Sequence, residues 1–159
     1  MSIPPEALAL IEHFEGYHRA LPDGRAAPYL CPARVATIGI GSTTYEFGRP
    51  VTLADPPVDR ARATALLAQE LAACEAAVDR LTTRRLPAAS RGALVSFVYN
   101  LGPGAYRGST LRRHVNAGAW LAAAAEFLKW RMAGGVPLAG LERRRRAEAT
   151  LFLAGIGEL

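Results

Sequence analysis

The sequence predicts an α+β fold: a small β-containing N-terminal lobe, a long connecting helix and a helical C-terminal lobe. Three observations carry this. The stretch "VATIGIGSTTYEFG" combines β-branched residues with closely spaced glycines, the composition of a small hairpin or sheet. Leu67, Leu71, Cys74, Val78 and Leu81 recur in steps of four, three, four and three, which is one face of a continuous helix. From Pro87 onward, apolar helical patterns alternate with the breakers "NLGPG", "NAG" and "AGGVPLAG".

Each element has its own signal. Leu8, Ile11 and Phe14 mark an amphipathic helix over 5–15, which Gly16 is placed to end. Pro22, Gly24, Pro28 and Pro32 make 17–35 a loop with little regular structure. "DPP" at 55–57 opens the long helix, because Pro57 fits a first helical turn without losing a needed hydrogen bond. That helix runs to about residue 82. Pro87 starts the next helix, which carries Leu94, Val95 and Val98. A further helix covers about 105–116. "AWLAAAAEFLKWRM" is an alanine-rich helix burying Leu121, Phe127 and Trp130. After a loop, the last helix runs over about 141–154. The expected organisation is one domain over 1–159. Its β-containing lobe spans about 16–56 and its connecting helix about 57–82. Residues 83–155, joined by the first helix 5–15, make the helical lobe. A cleft between lobes is the usual place for a ligand.

Composition narrows the function classes. A chain of 159 residues, half of them hydrophobic, buries a sizeable core. Its net charge is +5, and Lys129 is its sole lysine among 19 basic residues. This balance suits an anionic partner: nucleic acid, an acidic membrane surface or an anionic polysaccharide. No nucleic-acid recognition module accompanies the charge. No apolar run is long enough for stable membrane insertion. "MSIPPEALAL" lacks the basic region and apolar core of a signal peptide, so synthesis in the cytoplasm is expected. Two cysteines make no disulfide framework, and with three histidines they show no zinc spacing. No metal or organic cofactor is expected.

The chemistry-bearing residues stay ambiguous on pattern alone. Cys31, heading "YLCPARVATIGIG", is equally readable as core filler, half of a disulfide, a metal ligand or an active-site group. Cys74 sits in the apolar stripe and reads as core. Glu15 beside Phe14 is either a solvated helix-end carboxylate or a partly desolvated acid. Glu12, one turn earlier, is its rival. Thr37 reads first as an ordinary β-branched strand residue.

Four segments in order then resemble one family: "FEG" at 14–16, "YLCPARVATIGIGSTTYEFG", "LVSFVYNLGPGAYRGSTLRRHVNAG" and "AAAEFLKWRMAGGVPLAGLERRRRAEATLFLAG". Together they resemble the phage-type lysozymes, the muramidase endolysins of glycoside hydrolase family 24. The resemblance implies a lysozyme-like fold. It makes Glu15 the general acid and Thr37 a residue that holds the attacking water. The position six before the threonine is usually aspartate in that family and cysteine in a subset; here it is Cys31. A thiol positions water less firmly than a carboxylate does. As a thiolate, which nearby Arg34 would favour, it is a nucleophile that would change the course from inverting to retaining. By the same resemblance, Asn100 lies near the cleft floor as a sugar-binding or capping residue. Arg144 pairs with the catalytic glutamate, with Arg143 and Arg145 as alternatives. Ser109 and Thr110 match a signature that serves mostly as helix capping.

Two departures stand out. Fifteen residues separate Glu15 from Cys31, where the family usually has eight; the surplus falls in "HRALPDGRAAP". Asp23 in that loop is the alternative water-positioning carboxylate, or it only shapes the turn. Ile40 and Ser42 replace a usual aromatic and histidine, a change expected at sugar contacts. The implied activity is cleavage of the β-1,4 bond between N-acetylmuramic acid and N-acetylglucosamine in bacterial peptidoglycan. The implied setting is phage or prophage host lysis by a monomer that reaches the periplasm through a holin-made lesion. The alternative is a non-catalytic peptidoglycan-binding or virion-associated protein with a degenerate site.

Overall fold

Helix α1 spans Pro5–Glu15 in the computed structural model of the chain, which describes residues 3–157. Ala7 and Ile11 are fully buried on its inner face. It ends where expected: Gly16 adopts φ +78°, a left-handed conformation that favours glycine. The observed class is the expected α+β, with a strand-bearing N-terminal segment, a long helix and a helical remainder in chain order. Two compact units are distinguished: Ile11–Ala72, and the residues up to Leu10 together with those from Ala73 onward.

In the unit Ile11–Ala72, strands β1 (Tyr29–Leu30) and β2 (Ala36–Thr37) pair antiparallel, with Tyr29 opposite Thr37 and Leu30 opposite Ala36. The first strand thus lies inside the segment expected as loop. Pro28 and Pro32 flank it rather than interrupt it, which is how proline is tolerated at strand ends. The glycine-rich "IGIGS" is a turn, not strand: Ile38 and Ser42 exchange backbone hydrogen bonds of 2.9 and 3.1 Å across it. Gly39 at its first corner has φ +64°, and a Cβ there would come within 2.7 Å of the Ala63 methyl. Ile38, Tyr45, Val51 and Leu66 form the core of this unit.

Helix α2 spans Arg60–Leu81, starting three residues later than Pro57. Val58 is held in extended pairing with Ala26, by bonds of 2.7 and 3.0 Å. The Asp59 carboxylate then accepts from the Arg62 N–H at 2.7 Å and starts the helix as an N-cap. The buried face of α2 runs through Ala63, Leu66, Leu67, Leu71, Ala77 and Val78. Cys74 lies at its margin, half-buried rather than in the core as expected, and both cysteines are thiols.

The remaining helices are α3 (Ala88–Leu101), α4 (Pro103–Gly108), α5 (Thr110–Ala117), α6 (Trp120–Phe127) and α7 (Ala139–Ile156). Helix α3 is buried continuously from Ala89 to Val98 and packs against α7. The single helix expected over 105–116 is two, split at Ser109. Its hydroxyl donates to the Tyr106 carbonyl at 2.8 Å and accepts from the Arg112 N–H at 3.0 Å. Helix α6 is shorter than expected. Gly134 and Gly135, with φ +57° and +79°, turn the following residues into a hairpin of β3 (Met132–Ala133) and β4 (Val136–Pro137). Leu121, expected buried, is 78% exposed; Phe127 is fully buried and Trp130 partly so.

Candidate active site

Glu15 is the last residue of α1 and is partly buried. The chain reverses immediately after it, and His18 folds back over Gly16. The His18 ring nitrogen Nε2 lies 2.6 Å from the Glu15 carbonyl oxygen, and the His18 N–H donates to the Gly39 carbonyl at 3.1 Å. The His18 ring also packs beside Tyr29, with centroids 5.6 Å apart. One residue thus ties the end of α1 to the turn after β2 and to the first residue of β1. The rival, Glu12, is committed elsewhere: Thr64 donates to one of its oxygens at 2.5 Å and Arg60 to the other at 3.0 Å.

Cys31 and Thr37 meet across the β1–β2 turn. The Cys31 N–H donates to the Val35 carbonyl at 3.0 Å, and the Arg34 N–H to the Cys31 carbonyl at 2.8 Å. Arg34 sits at φ +61° to close the turn. The Thr37 hydroxyl donates to the Val35 carbonyl at 3.0 Å and has the Cys31 side chain as a second partner. The Cys31 thiol is held below its ordinary value, foremost by a hydrogen bond from the Val35 backbone. Burial opposes this, and the Thr37 hydroxyl adds to the lowering. Arg34, expected to favour the thiolate, is not the source of the shift: the backbone of its own turn is.

Tyr29, which sequence reasoning did not single out, joins these groups. It stands opposite Thr37 in the ladder, so the two side chains share a face. Burial raises its phenol above the ordinary value, the charges of Cys31 and Glu15 raise it further, and Arg19 pulls the other way. The phenol therefore stays protonated within the fields of both Glu15 and Cys31. The available signal was Tyr29 at two residues before Cys31, on the same face of a strand.

The other expected residues lie apart from this cluster in the chain. Asp23 turns its carboxylate to Arg25, accepting from the backbone N–H at 3.0 Å and from Nε at 2.8 Å, and this pairing holds it below the usual carboxylate range. Ile40 and Ser42, expected at sugar contacts, are 0% and 1% exposed; Ile40 is a fully buried apolar side chain. Asn100 Oδ1 accepts from Arg145 Nη2 at 3.0 Å. Arg144, Arg145 and Glu148 form a buried ionic cluster. One Glu148 oxygen accepts from Ser96 at 2.7 Å, Arg145 at 2.9 Å and Arg144 at 3.2 Å. Arg143 is exposed. Among the described residues, no group of three or more His, Cys, Asp or Glu side chains is arranged to hold a metal. No helix among them is long and apolar enough to cross a membrane.

The family model described as phage lysozyme matches residues 12–148, from the last turn of α1 to the buried glutamate of α7. The chain belongs to the phage lysozyme family. It is 33% identical to the endolysin of Salmonella phage P22 over 155 residues, covering 97% of this chain and 99% of that protein. It is 36% identical to the endolysin of Bacillus phage B103, but spans only 55% of that longer protein's length. A solved structure of P22 lysozyme superposes with a TM-score of 0.84 at 31% identity, covering 96% of this chain and 99% of that one. As a phage lysozyme family member, the chain is a glycoside hydrolase of the lysozyme type.

Proposed function

We propose that this chain is a peptidoglycan muramidase of the family subset that uses cysteine in place of the active-site aspartate. It hydrolyses the β-1,4 bond between N-acetylmuramic acid and N-acetylglucosamine. The observation that carries the reading is the hairpin that sets Thr37 opposite Tyr29 with Cys31 at its turn, tied by His18 to the end of the helix that bears Glu15. Glu15 donates a proton to the leaving glycosidic oxygen as the C–O bond breaks. A water molecule attacks the anomeric carbon, and its proton passes to the cysteine–threonine pair. The Thr37 hydroxyl can accept a hydrogen bond from that water while donating its own to the Val35 carbonyl or to Cys31, and the water proton ends on the Cys31 thiolate. The lowered thiol makes Cys31 a better acceptor at neutral pH than an ordinary cysteine. Asp23 is left to the turn, because Arg25 engages both its oxygens. Arg144 and Asn100 serve as support, through the ionic cluster on α7. The family points to phage or prophage lysis, with a holin-made lesion giving access to the wall.

The test is clearing of outer-membrane-permeabilised cells, with the reducing-end products identified. Glu15→Gln is expected to slow hydrolysis by about 10²–10⁴-fold, the usual contribution of a positioned general acid. Equal rates for wild type and E15Q would remove Glu15 from the acid role. Wall binding without product would favour a non-catalytic peptidoglycan-binding protein instead. The anomer first formed, read by proton NMR, separates water attack from attack by the thiolate: inversion is expected.

A further inference from the structure

The loop that lengthens the Glu15–Cys31 segment is a built element rather than slack chain. Ala20 and Ala26 bridge across it, Leu21 N–H donates to the Arg25 carbonyl at 2.7 Å, and Ala27 N–H to the Arg19 carbonyl at 3.1 Å. The Tyr17 hydroxyl clamps its tip, donating to the Gly24 or the Val58 carbonyl at 2.9 and 3.1 Å. Its base carries strain, since Arg19 is held at φ +54°. Between this loop, β1 and Leu53 lies a groove of about 580 Å³, lined chiefly by Arg19, Leu21, Pro28, Tyr29, Leu30 and Leu53. Leu30 and Leu53 are 46% and 57% exposed there. Tyr29 is the shared wall, with this groove on one side and the Glu15–Cys31 field around its phenol.

The lining selects the occupant. Apart from Tyr29 it is aliphatic, and it carries one cation. Asp23 and Arg25 neutralise each other at the loop tip, whereas Arg19 makes no ion pair among the described residues. No amide or carboxylate side chain lines the groove to accept from sugar hydroxyls. A short peptide of alanine-like side chains with free carboxylates matches both features: methyls against the leucines and a carboxylate on the guanidinium. We propose that the inserted loop forms a subsite for the peptide stem borne by the muramic acid of the substrate, with Arg19 binding a stem carboxylate. The inference rests on the muramidase reading for its substrate and on the groove for its chemistry.

The test compares glycan strands bearing stems with the same strands stripped of stems by an amidase, and scores kcat/KM from new reducing ends. Wild type is expected to prefer stem-bearing strands. Arg19→Asn removes the cation with a residue that tolerates left-handed backbone. It is expected to lower kcat/KM on stem-bearing strands by about fivefold, the reach of one exposed ion pair, through KM. Stripped strands should be cleaved at an unchanged rate, and L53D should discriminate in the same direction. Equal loss on both substrates, or no loss on either, overturns the subsite. A second arm titrates free stem tetrapeptide into the labelled chain. Shifts confined to residues 19–30 and 53 support the subsite. Shifts with stripped glycan and none with peptide overturn it in favour of a sugar site. If wild type releases no reducing ends from either strand but the peptide shifts appear, the muramidase reading fails while the groove assignment stands.

Discussion

Cys31 owes its character to three residues of its own hairpin. Val35 supplies a backbone hydrogen bond, Thr37 a hydroxyl, and Arg34 the left-handed corner that brings them together. Because these contacts favour the thiolate, the folded chain should hold Cys31 ionised at lower pH than free cysteine, whose pKa is about 8.5. In a Cys74→Ser background, the pH profile of Cys31 alkylation followed by mass spectrometry is expected to inflect below that value. Thr37→Val removes one lowering partner, so its inflection should move upward. An unmoved profile would mean that the Cys31–Thr37 contact has no electrostatic weight. Cys31 with Thr37 was legible in the sequence as a register of six residues. The source of the shift was not, because backbone N–H groups leave no trace in a list of side chains.

At the scale of elements, caps and turns decide boundaries that periodicity leaves loose. Ser109 splits one apolar pattern into α4 and α5, serving the Tyr106 carbonyl and the Arg112 N–H together. Ser109→Ala is expected to cost about 1 kcal/mol in denaturant unfolding, the usual loss for an N-cap. Thr110→Ala should stay within about 0.5 kcal/mol, since its hydroxyl meets only the exposed Arg113 guanidinium. Similar costs for both would assign the break to something other than the Ser109 cap. The hairpin after α6 had a readable signal in Gly134–Gly135, overshadowed by the proline and glycines around it. Strand β1 was harder to see. A strand of two residues carries no period, and only its partner across the turn makes it a strand.

At the scale of the whole molecule, an anionic substrate and a basic chain are matched by charge, but not all the arginines are surface charge. In the unit that contains α3 and α7, Arg144 and Arg145 are 4% and 0% exposed and converge on Glu148, itself fully buried. Burial pushes the Glu148 carboxyl up, while the two guanidiniums and Ser96 pull it down. Replacing it by Gln removes the buried carboxylate on which both guanidiniums converge. Glu148→Gln is therefore expected to destabilise the protein by about 3–5 kcal/mol, whereas Arg143→Ala on the exposed side should be nearly neutral; thermal and denaturant unfolding check both. A small loss for E148Q would mean that the cluster is hydrated and contributes little.

By itself the sequence determined the α+β class, the long helix and the places where α1 ends and α3 begins. These depend on local rules: apolar spacing along a helix, prolines and glycines at its ends, and motif order. Tertiary structure alone decided which side chains were already engaged. Glu12, one turn before Glu15 in the same helix, is held through both its oxygens by Thr64 and Arg60. Asp23 is paired with Arg25 two residues on, at the tip of its own loop. Among four consecutive arginines, Arg144 and Arg145 face the buried Glu148, and Arg143 does not. Ionisable groups are chosen by the partners that fold against them, and for Glu12 those partners lie 48 and 52 residues away in the chain.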